Sequence, residues 1–423
     1  MNRDWLAVFE SLKDVYTDGA YSNMAIGEAL FHHKGCKESF VRNYAKGVLR
    51  DTIRLDYFID KLASKGIDKI KSRPLIILRM GIYAIESLGS VPDHAAVNES
   101  VNLARKVARG SEGFVNGMLR SYLREKDNLQ IPADRDDLLY SVNPAIISLL
   151  RGQYGEEADG ILKALNEPQR TIIRVNRLRV DRGDVIDSLN AMGIEAEASN
   201  ESPNAIEASG SGIVSSDMYK AGMISMQSLS SMIAIEALKP SIGSRVLDMC
   251  AAPGGKSAYM AELMDDEGDI TACDIHDHRL ELINKTQERL GLSIIRTLKS
   301  DGTVSNPKME DSFDFVLADV PCSGLGVMSS KPEIAFRSNP ESYAELTDIQ
   351  KSILRNAVFY AKPGGRIEYS TCTLNKDENE KVIESIMAES AYSLLSVIEM
   401  KTLMPYNSKV GFFYCILEKN SWD

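Results

Sequence analysis

Apolar residues recur at intervals of three and four over residues 5–125, as in Val97, Val101, Ala104 and Ala108, and this spacing predicts amphipathic helices throughout that stretch. Pro74 is expected to open a helix running through Leu75, Ile76, Leu78, Met80, Ile82 and Tyr83. Another is expected to start at Pro92-Asp93, with Asp93 as its N-cap. The polar stretch 126–137 then reads as a linker. Over 138–225 the periods mix. Asn143-Pro144 opens a helix to about Tyr154, a second helix is expected near 157–165, Ile172-Ile173-Arg174-Val175-Asn176 alternates like a strand, and a helix over 182–192 is closed by Gly193. Beyond about residue 226 strand and helix alternate. Strands are expected at 245–248, 270–274, 294–299, 313–318, 366–371 and 411–418, with helices at 228–238, 256–264, 278–291, 341–362 and 376–389. The chain is therefore expected to be multidomain: an all-α N-terminal bundle over 1–130, a small α+β middle unit over 138–225, and an α/β Rossmann-like domain over 226–423 built on a parallel doubly wound sheet.

In such a sheet ligands bind outside the carboxyl ends of the strands. The first of these ends is the most informative. The apolar run Val246-Leu247 closes on Asp248, and Met249-Cys250-Ala251-Ala252-Pro253-Gly254-Gly255 turns into a helix near Lys256-Ser257. Unpaired helix N–H donors and a glycine turn make a cradle for an anionic group. The spacing is that of neither a Walker phosphate loop nor a G-x-G-x-x-G dinucleotide turn. Asp274 ends the second strand, 26 residues after Asp248, where an acid can accept from a ribose diol. Asp301 follows the third strand in Lys299-Ser300-Asp301-Gly302. Asp319 ends the fourth, in Ala318-Asp319-Val320-Pro321-Cys322-Ser323-Gly324, and Tyr369-Ser370-Thr371-Cys372-Thr373 ends the fifth. One acid at a strand end is often structural. Polar groups or thiols at four consecutive ends describe a site.

Composition narrows the classes. No run approaches the roughly 18 apolar residues of a membrane helix, and Met1-Asn2-Arg3-Asp4-Trp5 has no apolar leader, so a cytoplasmic setting without membrane attachment is expected. The six cysteines, at 36, 250, 273, 322, 372 and 415, form no C-x-x-C pair and no Cys/His spacing, so no metal is expected. A net charge of −11 argues against a generally basic nucleic-acid binder, but residues 1–130 carry 20 Lys+Arg against 16 Asp+Glu while the rest carries 29 against 44. Any polyanion is steered to the front end. Candidates for phosphate contact there are Arg50, Arg54, Lys69, Lys71, Arg73, Arg79, Arg105, Lys106 and Arg109, and in the middle unit Arg174 and Asn176.

Two cysteines on neighbouring strand ends without metal partners suggest covalent catalysis. Cytosine C5 is a poor nucleophile. A thiolate adding at C6 turns the ring into an enamine-like adduct whose C5 can attack a methyl donor, and loss of the C5 proton with expulsion of the thiol releases product. This needs a thiolate and a base outside the stack. An acid such as Asp319 near the ring can hydrogen-bond its polar edge. Spacing alone allows either Cys322 or Cys372 to be the nucleophile.

The segments Gly47-Val48-Leu49-Arg50, Ile77-Leu78-Arg79-Met80-Gly81-Ile82-Tyr83, Asp93-His94-Ala95-Ala96-Val97-Asn98-Glu99-Ser100-Val101 and Phe114-Val115-Asn116-Gly117-Met118-Leu119-Arg120 resemble the NusB-type RNA-binding helical domain, in the version fused to bacterial ribosomal RNA methyltransferases. The ordered motifs Asp-x-Cys-Ala-Ala-Pro-Gly-Gly-Lys, Asp-x-Pro-Cys-Ser-Gly and Ser-Thr-Cys-Thr resemble the Sun/Fmu-type RNA cytosine-5 methyltransferases, in their bacterial 16S branch, and the middle unit resembles the extra subdomain of the same enzymes. The resemblance implies S-adenosylmethionine held by Cys250, Ala251, Ala252, Pro253, Gly254, Gly255, Lys256, Asp274, Asp301 and Asp319. It implies Cys372 as nucleophile, Cys322 as the group assisting release, and Asp319 beside them. It also implies 16S ribosomal RNA as partner, with cytosine 967 as the family's target; the RNA is expected to be free or in an early assembly state, and the enzyme to be a monomer. Cys250 reads as a small turn residue, and Cys36, Cys273 and Cys415 as packing. The chain departs from the pattern at Ser329-Ser330-Lys331-Pro332-Glu333, where Arg-Arg-x-Pro-Asp is usual, at Gln227-Ser228 for Gln-Asp, and at Val410, where an Asp often precedes Gly-Phe-Phe. These bear on the choice of target rather than on the catalytic residues. The alternatives are another rRNA or tRNA position, or a non-enzymatic RNA-binding adaptor. An adaptor derived by decay would have shed a cysteine or the Gly-Gly turn. A DNA methyltransferase would carry a Glu-Asn-Val that is missing here, and a small-molecule enzyme would not need two thiols or a helical front end.

Overall fold

The computed structural model describes residues 2–167 and 169–420, and the last residues of the expected third domain lie outside them. The chain divides into two compact units, 1–166 with 328–340, and 167–327 with 341–423.

The first unit is helical. Helices Arg3–Asp18, Ser22–His32, Glu38–Arg50, Thr52–Leu62, Ser72–Ser87, Asp93–Val107 and Glu112–Glu125 are followed by Asp136–Tyr140, Pro144–Tyr154 and Ala158–Asn166. Their apolar stripes meet around Trp5, Tyr44 and Leu119. Trp5 packs edge-on to Tyr44 at 5.1 Å, and the Tyr44 hydroxyl donates to the Met80 carbonyl. Helix Glu38–Arg50 approaches its neighbour closely at Gly47, where a Cβ would overlap the Tyr83 ring. Two expectations need correction. Asp93 is the first helical residue rather than the N-cap, because Pro92 supplies the extended cap position. Arg79 is no phosphate contact: it is buried, paired bidentately with Asp56 at 2.6 and 2.7 Å, and stacked on Tyr16.

Residues 328–340 leave the sheet unit and finish the helical one. Glu333, buried, accepts from the backbone N–H of Ser22 at 2.9 Å and caps a helix whose own N-cap, Tyr21, offers no acceptor. Phe336 packs on Tyr16, and Arg337 donates to the carbonyls of Gly19 and Ala20. Here the chain departs from the Arg-Arg-x-Pro-Asp pattern, and the acid in that stretch serves the helical fold.

The second unit holds two sheets. The smaller is antiparallel, built from β1 (Thr171–Val175), β2 (Glu195–Ala198), β3 (Ala205–Ser209) and β4 (Ile224–Met226) in the order β2-β3-β1-β4, with helix Arg182–Ala191 packed on it. Arg174 and Asn176 sit inside it, each 1% exposed, and so are removed from the candidate RNA contacts. The larger sheet comprises β5 (Arg245–Asp248), β6 (Asp269–Asp274), β7 (Ile295–Lys299), β8 (Phe313–Asp319), β9 (Ala361–Thr371), β10 (Leu395–Leu403) and β11 (Phe412–Lys419). Its order is β10-β11-β9-β8-β5-β6-β7, parallel from β9 to β7 and antiparallel at β11 and β10. β10 was not expected. It is an edge strand, bulged between Val397 and Glu399 and exposed or half-buried at all but its first residue, so it lacks the one-sided apolar alternation of a core strand. The strand order reverses at β5, between β6 and β8, which puts the Asp248 turn at the topological switch point.

Candidate active site

The turn after β5 is built for close approach. Gly254 takes φ +98°, a left-handed conformation, and a Cβ there would lie 3.0 Å from the Ile283 backbone. Helix Gly255–Leu263 starts at once, its N-cap being this glycine with no side chain to satisfy the first N–H groups. The Ala252–Pro253 peptide is cis. Asp248 is buried at the strand end. One oxygen accepts from Ser257 at 2.6 Å and the other, among the described residues, has no partner. Burial lifts its pKa to about 7 against the opposing pull of Ser257 and Lys256.

Lys256 reaches from the helix to Asp319 at the end of β8. Burial works against its charge, but Asp319 outweighs it and the lysine pKa is raised. The other Asp319 oxygen accepts from Ser370 at 3.2 Å. Register places Asp248, Leu317, Glu368 and Ile416 in one row across the sheet, and Asp319 and Ser370 in a parallel row two residues on, on the same face. Glu368 was not singled out from sequence. It is fully buried, neither oxygen has a hydrogen-bond partner among the described residues, and burial raises its pKa to about 8.

A cavity of about 180 Å³ opens beside this cluster, lined by Gln227, Ser231, Asp248, Cys250, Ala251, Ala252, Pro253, Gly255, Lys256 and Asp319. Most of the expected cofactor residues therefore meet here. Gly254, Asp274 and Asp301 do not line it. Asp274, 3% exposed at the end of β6, accepts from the His276 N–H at 3.1 Å and pairs with Arg279 at 3.2 Å. Arg279 also donates to the Ala252 carbonyl, so it links Asp274 to the turn. Asp301 accepts from the N–H and hydroxyl of Thr303, which lower its pKa. Sequence reasoning missed Gln227 as a wall residue, although it flagged the dipeptide. Its carboxamide oxygen accepts from Arg174, and its buried nitrogen has no partner among the described residues.

The two thiols come together. Cys322 follows β8, Cys372 follows β9, and their sulfurs are 3.3 Å apart, a contact rather than a disulfide. The hydrogen bond to Cys372, burial, and the charges of Cys372, Glu378 and Asp319 push the Cys322 thiol well above its ordinary range. The Gly326 N–H donates to the Cys372 carbonyl, and Gly411 donates to the Gly326 carbonyl, which joins the Gly324-Leu325-Gly326 turn to Gly411-Phe412-Phe413. Burial raises the pKa of Cys250, Cys273 and Cys415, as suits packed thiols, and Cys36 is raised by burial and Asp4. The expected helix over 376–389 begins only at Glu380. Residues 373–379 form a loop instead, in which Asn375, Glu378 and Asn379 turn inward. Their density of turn-forming side chains was the overlooked signal.

A doubly wound sheet with a glycine cradle at its switch point and acids on adjacent strand ends defines a nucleotide-cofactor transferase domain of the methyltransferase type. Comparison with known proteins specifies the family. Residues 235–418 match the 16S rRNA methyltransferase RsmB/F family, 6–124 the NusB family, and 146–214 the RsmF/B-like ferredoxin-like domain. The chain is 34% identical over 389 residues to the probable ribosomal RNA small subunit methyltransferase B of Bacillus subtilis, covering 90% of this chain and 87% of that one. It is 32% identical over 394 residues to the corresponding protein of Synechocystis sp., covering 90% and 88%. The solved structure of PH0851 superposes with a TM-score of 0.86 at 24% identity, over 99% of this chain and 98% of the other, and shows the same fold. The chain belongs to the RsmB/F family and is an S-adenosylmethionine-dependent rRNA methyltransferase.

Proposed function

We propose that this enzyme methylates C5 of a cytosine in 16S ribosomal RNA through a transient bond between Cys372 and C6 of the base. The observation that carries this reading is the pair of sulfurs 3.3 Å apart on adjacent strand ends, next to the Lys256–Asp319 pair and the cradle after β5.

The residues present suit the cofactor. Polar atoms without partners, on Asp248 and Gln227, face a compartment of small side chains beside an uncapped helix start. Cys250, Ala251, Ala252, Pro253, Gly254, Gly255 and Lys256 would hold it, with Asp274, Asp301 and Asp319 at the neighbouring strand ends. When bound, S-adenosylmethionine supplies an electrophilic methyl group.

The protein residues divide the remaining work. Either sulfur can donate in their contact; in this reading Cys322 donates to the sulfur of Cys372 and favours the thiolate there. The Cys372 thiolate forms the S–C6 bond, and the electron pair of the C5–C6 double bond becomes available at C5. Once C5 is methylated its proton passes to a solvent water acting as base. The C5–H electron pair then restores the double bond as the S–C6 bond breaks and Cys372 departs with its own pair. Cys322 serves this release step, since a sulfur beside C6-bound Cys372 is next to the reacting edge. Asp319, held by Lys256 and Ser370, is fixed where it can accept from the cytosine amino edge. The basic helical unit supplies phosphate contacts. Bisulfite mapping of 16S RNA from a deletion strain tests the reading: one 5-methylcytosine should disappear and return on complementation, whereas an unaltered map would end it.

A further inference from the structure

Cys322 and Cys372 lie on separate loops, and one buried side chain is bonded to both. Glu378 is 0% exposed. Its Oε2 accepts from the backbone N–H of Ser323 at 2.8 Å and from Gln350 at 3.0 Å. Its Oε1 accepts from the Ser323 hydroxyl at 2.5 Å and from Asn375 at 3.0 Å. Gln350 also donates to the Pro321 carbonyl at 2.9 Å, so the residues on both sides of Cys322 are anchored to this one centre. The Ser323 hydroxyl meets that of Thr373, the residue after Cys372, at 2.8 Å. These bonds go to groups of the two loops and of helix Tyr343–Tyr360 rather than to the reacting atoms.

We infer that Glu378 is a positioning residue that sets the separation of the two thiols by tying the Cys322 loop to the Cys372 loop, an inference that rests on the two-thiol reading above. All four of its partners are N–H or O–H donors, and a carboxylate can accept from all of them. An amide cannot. Its NH2 group would face either the Ser323 N–H and the Gln350 amide, or the Asn375 amide, and a buried donor pair is costly. The isosteric Glu378→Gln therefore perturbs hydrogen bonding while leaving shape almost unchanged.

Cross-linking of the two sulfurs reads their separation without RNA or cofactor. Diamide, an azo oxidant, takes up two electrons and two protons as the two thiols become one disulfide, and peptide mass spectrometry follows the Cys322–Cys372 bridge in the full chain. Glu378→Gln should slow bridging by about tenfold or more, because misplacement of reacting groups by an ångström costs on that order or beyond. Its kcat should fall while KM for S-adenosylmethionine stays as in the parent. Ser323→Ala deletes one donor and should slow bridging several-fold, which keeps the inference exposed if the glutamine variant does not fold. Parental bridging rates in the soluble variants would overturn it. Slow bridging with undiminished methylation would leave the positioning role standing and remove the two-thiol reaction instead.

Discussion

Arg174 and Glu262 form a fully buried ion pair, 2.8 Å long, with side chains 1% and 0% exposed. The guanidinium also donates to the Gly255 carbonyl at 2.6 Å and lies over the Tyr259 ring. It thus ties β1 of the small sheet to the first turn of the cradle helix. Burial raises the Glu262 pKa although Arg174 opposes it, which shows how strongly that site depends on its partner. Arg174→Met strands the carboxylate and should cost about 3–5 kcal/mol in denaturant unfolding. Adding Glu262→Leu should recover most of it, since an apolar pair needs no compensation. No loss in the single variant would remove the pair from the account of stability.

Asp274 holds the end of β6 under Arg279 and the His276 N–H, and the proposed function has it accept from the cofactor ribose. Asp274→Ala should weaken S-adenosylmethionine binding by about 1–3 kcal/mol in calorimetry, the usual cost of unpairing buried polar groups, with the fold retained. Parental affinity would take Asp274 out of the site.

Arg105, Lys106 and Arg109 are exposed at the end of helix Asp93–Val107 and just beyond it. Lys106 lines an open groove with Arg3, His32, His33 and Lys34. Such a surface suits RNA phosphates. Charge reversal at the three positions should weaken binding to an rRNA fragment mainly at low salt, and reduce the slope of log affinity against log salt by somewhat under one unit per lost contact. Indifference to all three would leave that face merely solvated.

What sequence made visible was whatever has a local cause. The run Val246-Leu247-Asp248 and its glycine turn declare a strand, a cradle and a helix within a dozen residues, and each is where the pattern puts it. The approach of Cys322 to Cys372 was readable only as two thiols on neighbouring strand ends, because 50 residues separate them in sequence. Arg174 read as a polar residue on a strand, since its partner Glu262 lies 88 residues away and burial is a tertiary property. Glu368 left no trace either. A glutamate in a β-strand ordinarily points to water, and burial of this one is a property of the tertiary packing on β9.

That enclosure has a consequence for pH. Asp248 and Glu368, with pKa values raised to about 7 and about 8, bind protons more tightly in the folded chain than in the unfolded one. Their contribution is fully present below the ordinary carboxyl range and is lost as pH rises through those values. The stability these two groups contribute should therefore decline between about pH 4 and pH 8. Glu368→Gln should flatten the decline and raise stability at the alkaline end by on the order of 5 kcal/mol. Thermal melts across that range decide it, and an unchanged slope in the variant would mean that Glu368 is ionised at neutral pH.

The two thiols make separable predictions. If Cys372 bonds to C6 and Cys322 assists release, Cys372→Ala should abolish both methyl transfer and adduct formation. Cys322→Ala retains the nucleophile and its approach to the base. It should methylate and then release slowly, leaving protein joined to RNA as a retarded band on a denaturing gel that nuclease removes. The contact between the two sulfurs is the same for either order, so the assignment of Cys372 as nucleophile rests on the family resemblance. With the roles exchanged, the band would accumulate in Cys372→Ala instead. Were both cysteines only packed, each alanine would cost a little stability and trap nothing, since no bond to RNA would ever form. One gel of the two variants with substrate RNA and S-adenosylmethionine distinguishes the three cases, and intact methylation in both without a trapped band would end the covalent mechanism.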